Sequence, residues 1–199
     1  MSMQEELAAA AARLVVEEGM EYGAAKHKAA RTLLRGQVRH GELPSNEEVE
    51  DAVREHLAIF HAETQPAELA ALRQVALRWM ERLAEFRPHV AGAVWRGTAT
   101  RLSDVHLHLY CDDSKSAEIA LLGRDVPYDV ASATGPRGDP VDMLCLVDRG
   151  PELGEPVNVC LTILDTDDLR GALKPDARGR TWRGDAKALR QRLQAPAEE

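Results

Sequence analysis

The sequence lacks the features that mark membrane and secreted proteins. A helix that crosses a bilayer needs about 20 apolar residues, and no run of that length is present. The first 19 residues, MSMQEELAAAAARLVVEEG, have acids on both sides of their apolar part and no basic start, unlike a secretory signal. These absences predict a soluble, cytoplasmic protein without a membrane partner.

The sequence also lacks an excess of basic residues and any closely spaced pair of cysteines. The chain has 25 lysines and arginines against 33 acids, and its formal net charge is −8. Since such a chain repels phosphate backbones, the composition argues against nucleic acid as a partner. Cys111, Cys145 and Cys160 lack the spacing of a zinc or redox pair. We expect three reduced, partly buried thiols.

The first part of the sequence predicts four helices. Alanine, the best helix former, is concentrated before Gly19, and Ser45 with Glu48 has the spacing of a capping box. Pro66 suits the first turn of the fourth helix, and Pro88 stops the chain after it. The first two helices are predicted over 4–18 and 22–35, the second ending at Gly36 before a loop, HGELP. The fourth has an apolar stripe of Leu69, Leu72, Ala76, Trp79, Leu83 and Phe86.

After Pro88 the sequence changes to short apolar runs that predict strands. In DVHLHLYC the apolar residues alternate with His106, His108 and Tyr110, the pattern of a strand with two different faces. The turn-rich segment RGPELGEP between the last two runs predicts an antiparallel hairpin. The predicted strands are VAGAVW, DVHLHLYC, YDVASA, VDMLCLVD and VNVCLTILD. A helix is predicted over 116–122, and a last one from Asp185 that carries Leu189 and Leu193.

This order of elements predicts an α+β protein. A helical N-terminal region over 1–64 would precede a core over 65–168, in which helices cover one face of a mixed β-sheet. Residues 169–199 would form a basic C-terminal segment with a helix.

The segment VAGAVWRGTATRLSDVHLHLYCDD resembles the signature of the DNA polymerase beta-like nucleotidyltransferases. That signature is a strand ending in Gly-Ser, a short turn, and Ser-Asp-x-Asp on the next strand. Gly92-Ala93 stands at the Gly-Ser position, RGTAT resembles the second glycine turn, and SDVHLHL stands at the acidic strand. The likeness covers roughly residues 66–165. It implies a nucleotidyltransferase-like mixed sheet, on which paired carboxylates hold divalent cations that orient a nucleoside triphosphate.

The resemblance also implies functional residues. Asp104 would be the catalytic and metal-binding acid. Backbone groups around the two glycines would approach the phosphates of a nucleotide closely. Independently of the resemblance, basic residues crowd the C-terminal segment. The stretch RGRTW would either clasp phosphates or RNA, with Trp182 as a stacking surface, or belong to a solvated face. The predicted nucleotide-binding residues are Gly92, Ala93, Gly97, Thr98 and Arg180.

Three positions depart from the family pattern. Ala93 has no hydroxyl group, and His106 stands where the second carboxylate belongs. A neutral imidazole is a poor ligand for magnesium, which prefers oxygen. The best match to the third acid is Asn158, and Asp142 on the neighbouring predicted strand is the alternative.

Three functions remain open from the sequence. The leading one is a degenerate nucleotidyltransferase frame that binds a phosphate-bearing ligand, such as a nucleotide, or a protein partner without catalysis and without an assigned cofactor. The first alternative is an active, magnesium-dependent nucleotidyltransferase that uses Asp104 and Asp142. The second is a metal-binding protein, in which Asp104, His106 and His108 form a ladder on one strand face that ligates zinc.

Overall fold

The structure is a computed structural model that describes residues 2–34 and 43–195. The chain divides into two compact units, Met1–Pro66 and Ala67–Glu199. Among the helices of the described residues, none is long and apolar enough to cross a bilayer.

The first unit contains three helices, as the alanine content and capping pattern predict. They are α1 (Met3–Glu18), α2 (Tyr22–Leu34) and α3 (Asn46–Phe60). The Ser45 side chain accepts from the Glu48 amide and the Glu48 carboxylate accepts from the Ser45 amide, so the predicted capping box is confirmed. Small alanine side chains make up much of the core between the helices. The predicted end of α2 and most of the HGELP loop fall on residues 35–42, outside the described residues.

The second unit is built around a six-stranded mixed sheet, which confirms the α+β class. The strands lie in the order β3-β4-β5-β2-β1-β6; β2 and β5 are parallel, and the other neighbouring strands are antiparallel. The strands are β1 (His89–Ala91), β2 (Val105–Tyr110), β3 (Asp129–Thr134), β4 (Pro140–Asp148), β5 (Val157–Leu164) and β6 (Arg183–Gly184). The helices are α4 (Gln65–Arg82), α5 (Gly92–Arg96), α6 (Lys115–Leu122) and α7 (Ala186–Gln194).

One face of this sheet carries the hydrophobic core. The alternation predicted for β2 is confirmed, because Val105, Leu107 and Leu109 are fully buried while the two histidines between them are half-buried. The core residues of β2 pack with side chains from four helices, which include Leu72, Trp79, Val94, Leu121 and Leu189. The β4–β5 hairpin and α7, with Asp185 as its N-cap, also form as predicted.

The prediction that VAGAVW forms one strand is wrong. The strand ends at Ala91, and Gly92 turns the chain with a positive φ of 66° into the short helix α5. Periodicity could not reveal this change, because a short apolar run fits a buried helical turn as well as a buried strand. Val90 pairs with Leu107, as expected for neighbouring strands, whereas Val94 lies in α5 and not in the sheet.

Helix α4 is shorter than its apolar stripe suggests. It ends at Arg82, and the stripe continues through a separate 3-10 turn, Ala84–Phe86, in which Phe86 is buried. Strand β6, which no pattern predicted, pairs with β1 and brings the basic C-terminal segment into the sheet. A Cβ atom on Gly184 would overlap the Trp95 ring, so only glycine fits at this position of β6.

Candidate functional site

The second face of the sheet carries the polar side chains that the family resemblance singles out. His106 of β2 is paired with Ala91 of β1 on one side and with Cys160 of β5 on the other, and Ala91 is also paired with Arg183 of β6. Residues paired directly across strands share a face. We call this surface the histidine face, defined by Ala91, His106, His108, Cys160 and Arg183.

Asp104 and Asn158 meet at one edge of the histidine face. Asp104 directly precedes β2, and Asn158 is the second residue of β5, the parallel neighbour of β2. The Asn158 Nδ2 atom donates a hydrogen bond of 3.1 Å to Asp104 Oδ1. The residue beside Asp104 on the later strand is therefore an amide, which occupies one of its carboxylate oxygens and adds no negative charge.

Asp142, the alternative third acid, lies elsewhere. Asn158 is opposite Val147 on β4, and Asp142 stands five positions before Val147, about 16 Å along the strand at about 3.3 Å per residue. An odd number of positions also turns the side chain to the opposite face of the sheet. Asp142 therefore cannot share a metal ion with Asp104.

The two glycines and their neighbours lie around α5. A Cβ atom on Gly92 would stand 3.5 Å from Cδ2 of His106, so the start of α5 lies against this imidazole. The amides of Gly97 and Thr98 both donate to the Ala93 carbonyl, at 2.8 and 3.0 Å. Among the predicted nucleotide-binding residues, only Gly92 and Ala93 contribute amides of the first helical turn, where N–H groups have no intrahelical acceptor. Thr98 is buried, and its hydroxyl has no hydrogen-bond partner within the described residues.

His108 is half-buried beside Arg183, and its imidazole is neutral. The Arg183 guanidinium donates to His108 Nδ1 and to Tyr110 Oη, each at 3.3 Å. Burial, assisted by the nearby charge of Arg183, lowers the pKa of His108 from 6.5 to about 4. Since Nδ1 accepts this bond, the proton of the neutral ring is on Nε2. His89 closes this side of the face, with its ring edge-on to Tyr110 at 5.4 Å.

The predicted zinc ladder does not assemble. Within residues 2–34 and 43–195, no three histidine, cysteine, aspartate or glutamate side chains are grouped so that they could hold a metal ion. The reasons are the contacts just described, since Arg183 takes the Nδ1 atom of His108 and Asn158 takes an oxygen of Asp104. His106 and Asp104 alone would make an incomplete zinc site.

The basic C-terminal segment packs beside α5. Trp95 Nε1 donates to the Thr181 carbonyl at 2.9 Å, and the Arg96 guanidinium stacks on Trp182 at 5.1 Å. Arg180, the predicted phosphate ligand, instead forms an ion pair of 3.2 Å with Asp176. Trp182 and Arg180 thus already have partners within the chain.

Arg183 is a functional candidate that the sequence did not distinguish from the other residues of the basic segment. It belongs to the basic segment, but its position on the histidine face depends on the pairing of β6 with β1. Among the described residues it forms no ion pair, and its Nε atom is buried without a hydrogen-bond partner. The sequence feature that could have indicated this position is Gly184, because only a residue without a side chain lets this short strand pass beneath Trp95.

A cavity of about 760 Å³ opens elsewhere in the second unit, next to the start of β1. Its walls are mostly apolar and include Met80, Pro88 and Leu173. Neither Asp104 nor the Gly92–Gly97 segment lines it. The cavity therefore adds nothing to the site around Asp104.

Comparison of the chain with protein-family models, with curated proteins and with solved structures finds no match.

Proposed function

We propose that this chain is a nucleotidyltransferase-like protein that binds a phosphate-bearing ligand and does not transfer a nucleotide. The order of elements supports the family resemblance. A strand ends at a glycine, a short helix follows, and an aspartate leads into a neighbouring antiparallel strand. A parallel neighbour, β5, then supplies the residue beside that aspartate.

The hydrogen bond from Asn158 to Asp104 carries the proposal that transfer is lost. Two-metal transfer needs clustered carboxylates that neutralise the cations and fix them beside the triphosphate. This site has one carboxylate, an amide at 3.1 Å from it, and an imidazole at the place of the second acid. A pair of magnesium ions would therefore be held too weakly to position a triphosphate.

Arg183 supports the binding of an anion. Its charge faces two neutral groups, the rings of His108 and Tyr110, and meets no carboxylate within the described residues. A half-buried guanidinium gains most from a ligand that can accept several of its N–H groups, and a phosphate does so. The ligand would bind at the Arg183 guanidinium, on the same face of the sheet as His106.

Thermal unfolding with added anions tests this binding. Pyrophosphate, ATP and CTP should each raise the midpoint of the second unit by about 5 °C at a concentration about ten times the Kd. Magnesium should add little, and high salt should reduce the effect through screening. Tryptophan fluorescence reports the second unit specifically, because Trp79, Trp95 and Trp182 all lie in it.

Matched arginine variants identify the residue responsible. Arg183→Gln should abolish the stabilisation, whereas Arg170→Gln, with the same loss of charge at an exposed position of the same segment, should retain it. Arg180→Gln should also retain it, because Arg180 is paired with Asp176. If all three variants lost the anion-induced stabilisation equally, the binding would be non-specific attraction between charges. If no anion stabilised the protein, binding of a phosphate-bearing ligand would be excluded, and a protein partner would be the remaining possibility.

A further inference from the structure

Two cysteines lie opposite each other on neighbouring strands. Cys145 of β4 is paired with Cys160 of β5 in the antiparallel register, and their Sγ atoms are 3.9 Å apart. Directly opposite residues of antiparallel strands have Cα atoms about 4.5–5.5 Å apart, within the range of about 4.4–6.8 Å that disulfides span. The backbone thus already suits a bond, and small rotations of the two side chains would bring the sulfurs together.

We propose that Cys145 and Cys160 form a reversible intramolecular disulfide on the histidine face. One row of paired residues crosses three strands: His106 on β2, Cys160 on β5 and Cys145 on β4. The disulfide would therefore form beside His106, and the histidine face would exist in an oxidised form with the disulfide and a reduced form with two thiols. The proposal is independent of the proposed function, because it requires neither Asp104 nor Arg183 to bind anything.

Exposure determines the order of the steps. Cys145 is half-buried and within reach of a small oxidant, whereas Cys160 is 5% exposed. With glutathione disulfide as the oxidant, the Cys145 thiolate attacks one of its sulfurs, the glutathione S–S bond breaks, and one glutathione thiolate leaves. The Cys160 thiolate then attacks the Cys145 sulfur and displaces the second glutathione thiolate. Two cysteine thiols are oxidised, one glutathione disulfide is reduced, and the two thiol protons end on the two glutathiones.

The third cysteine, Cys111, takes no part in this disulfide. Its amide donates to the Leu164 carbonyl at the far end of β5, four positions from Cys160. Burial, with Asp113 and Asp112 nearby, raises the pKa of the Cys111 thiol, which suppresses its thiolate. Because it lies at the end of β5 and not beside Cys160, Cys111 cannot join this disulfide and provides an internal reference thiol.

Thiol counting in redox buffers tests the proposal. The full chain is equilibrated with mixtures of reduced and oxidised glutathione, quenched with acid, and labelled with N-ethylmaleimide under denaturing conditions. As the buffer becomes more oxidising, the intact mass of the protein should change from that of a chain with three maleimide labels to that of a chain with one. The mass should also be lower by two hydrogens, which the disulfide removes. Peptide mapping should find Cys145 linked to Cys160, and dithiothreitol should restore three labels.

Single variants give the controls. Cys111→Ser should change from two labels to none in parallel with the wild type. Cys160→Ala should stop at the first step and accumulate a glutathione adduct on Cys145, while Cys145→Ser should keep both remaining thiols available for labelling. Three maleimides in the most oxidising buffer would overturn the proposal. A linkage through Cys111, or a bond between two molecules of the protein, would overturn it as well.

Discussion

The two faces of the sheet differ, although the same strands build both. On β2, Val105, Leu107 and Leu109 are fully buried under helices, whereas His106 and His108 between them face Arg183 and the start of α5. Because side chains alternate along a strand, one six-residue segment supplies both core packing and the candidate site. Stability and ligand chemistry should therefore respond separately to substitutions only one residue apart.

The largest effect is expected on the covered face. Leu107→Ala should lower the free energy of unfolding of the second unit by about 2–5 kcal/mol, because it removes buried methyl groups and leaves a cavity in the centre of the core. His106→Ala, the neighbouring residue on the histidine face, should cost about 1 kcal/mol or less. Urea unfolding followed by tryptophan fluorescence gives both values. Similar losses of unfolding free energy in the two variants would contradict the view that the covered face, and not the histidine face, provides most of the stability of the second unit.

A second effect, nearly as large, is expected from pH on the histidine face. The pKa of His108 is lowered from 6.5 to about 4, so between these values the unfolded chain takes up a proton that the folded chain excludes. The contribution of His108 to the free energy of unfolding is fully present above about pH 6.5. It is lost as the pH falls toward 4, and the total loss is about 3 kcal/mol. Measuring urea midpoints across this range would show the loss.

The control for this pH effect is His108→Asn. Its amide oxygen can accept the Arg183 hydrogen bond without titrating, so the variant should lose much less stability between pH 6.5 and 4. Part of the slope should remain, because burial also lowers the pKa of His89. An unchanged slope in His108→Asn would assign the pH dependence to other groups.

A smaller effect is expected from restoring the missing acids. The double variant His106→Asp, Asn158→Asp would place two carboxylates beside Asp104, at the positions that now hold an imidazole and an amide. We expect it to bind manganese with a Kd in about the millimolar range or tighter, detected by calorimetry or paramagnetic broadening, while the wild type shows no stoichiometric binding. Equal binding by both proteins would mean that the present site already holds a metal.

Local patterns in the sequence predicted much of the fold, but pairings between distant segments were beyond them. The β2 alternation and the Ser45–Glu48 cap depend on neighbouring residues, and both were predicted. The boundary between β1 and α5 was not, because a short apolar run at Gly92 fits either structure. The site is less predictable still. The contact of Asn158 with Asp104 requires parallel pairing of strands far apart in the sequence, and the position of Arg183 requires a two-residue strand.

We propose that this chain resembles a nucleotidyltransferase but no longer transfers nucleotides, and an assay of nucleotide transfer distinguishes the two possibilities. Labelled ATP, CTP, GTP and UTP would be incubated with the wild type, magnesium or manganese, and protein, RNA and small hydroxyl acceptors. We expect no labelled product above that of Asp104→Ala, because one carboxylate cannot hold the two cations that transfer requires. Robust turnover in the wild type that is abolished in Asp104→Ala would contradict the claim.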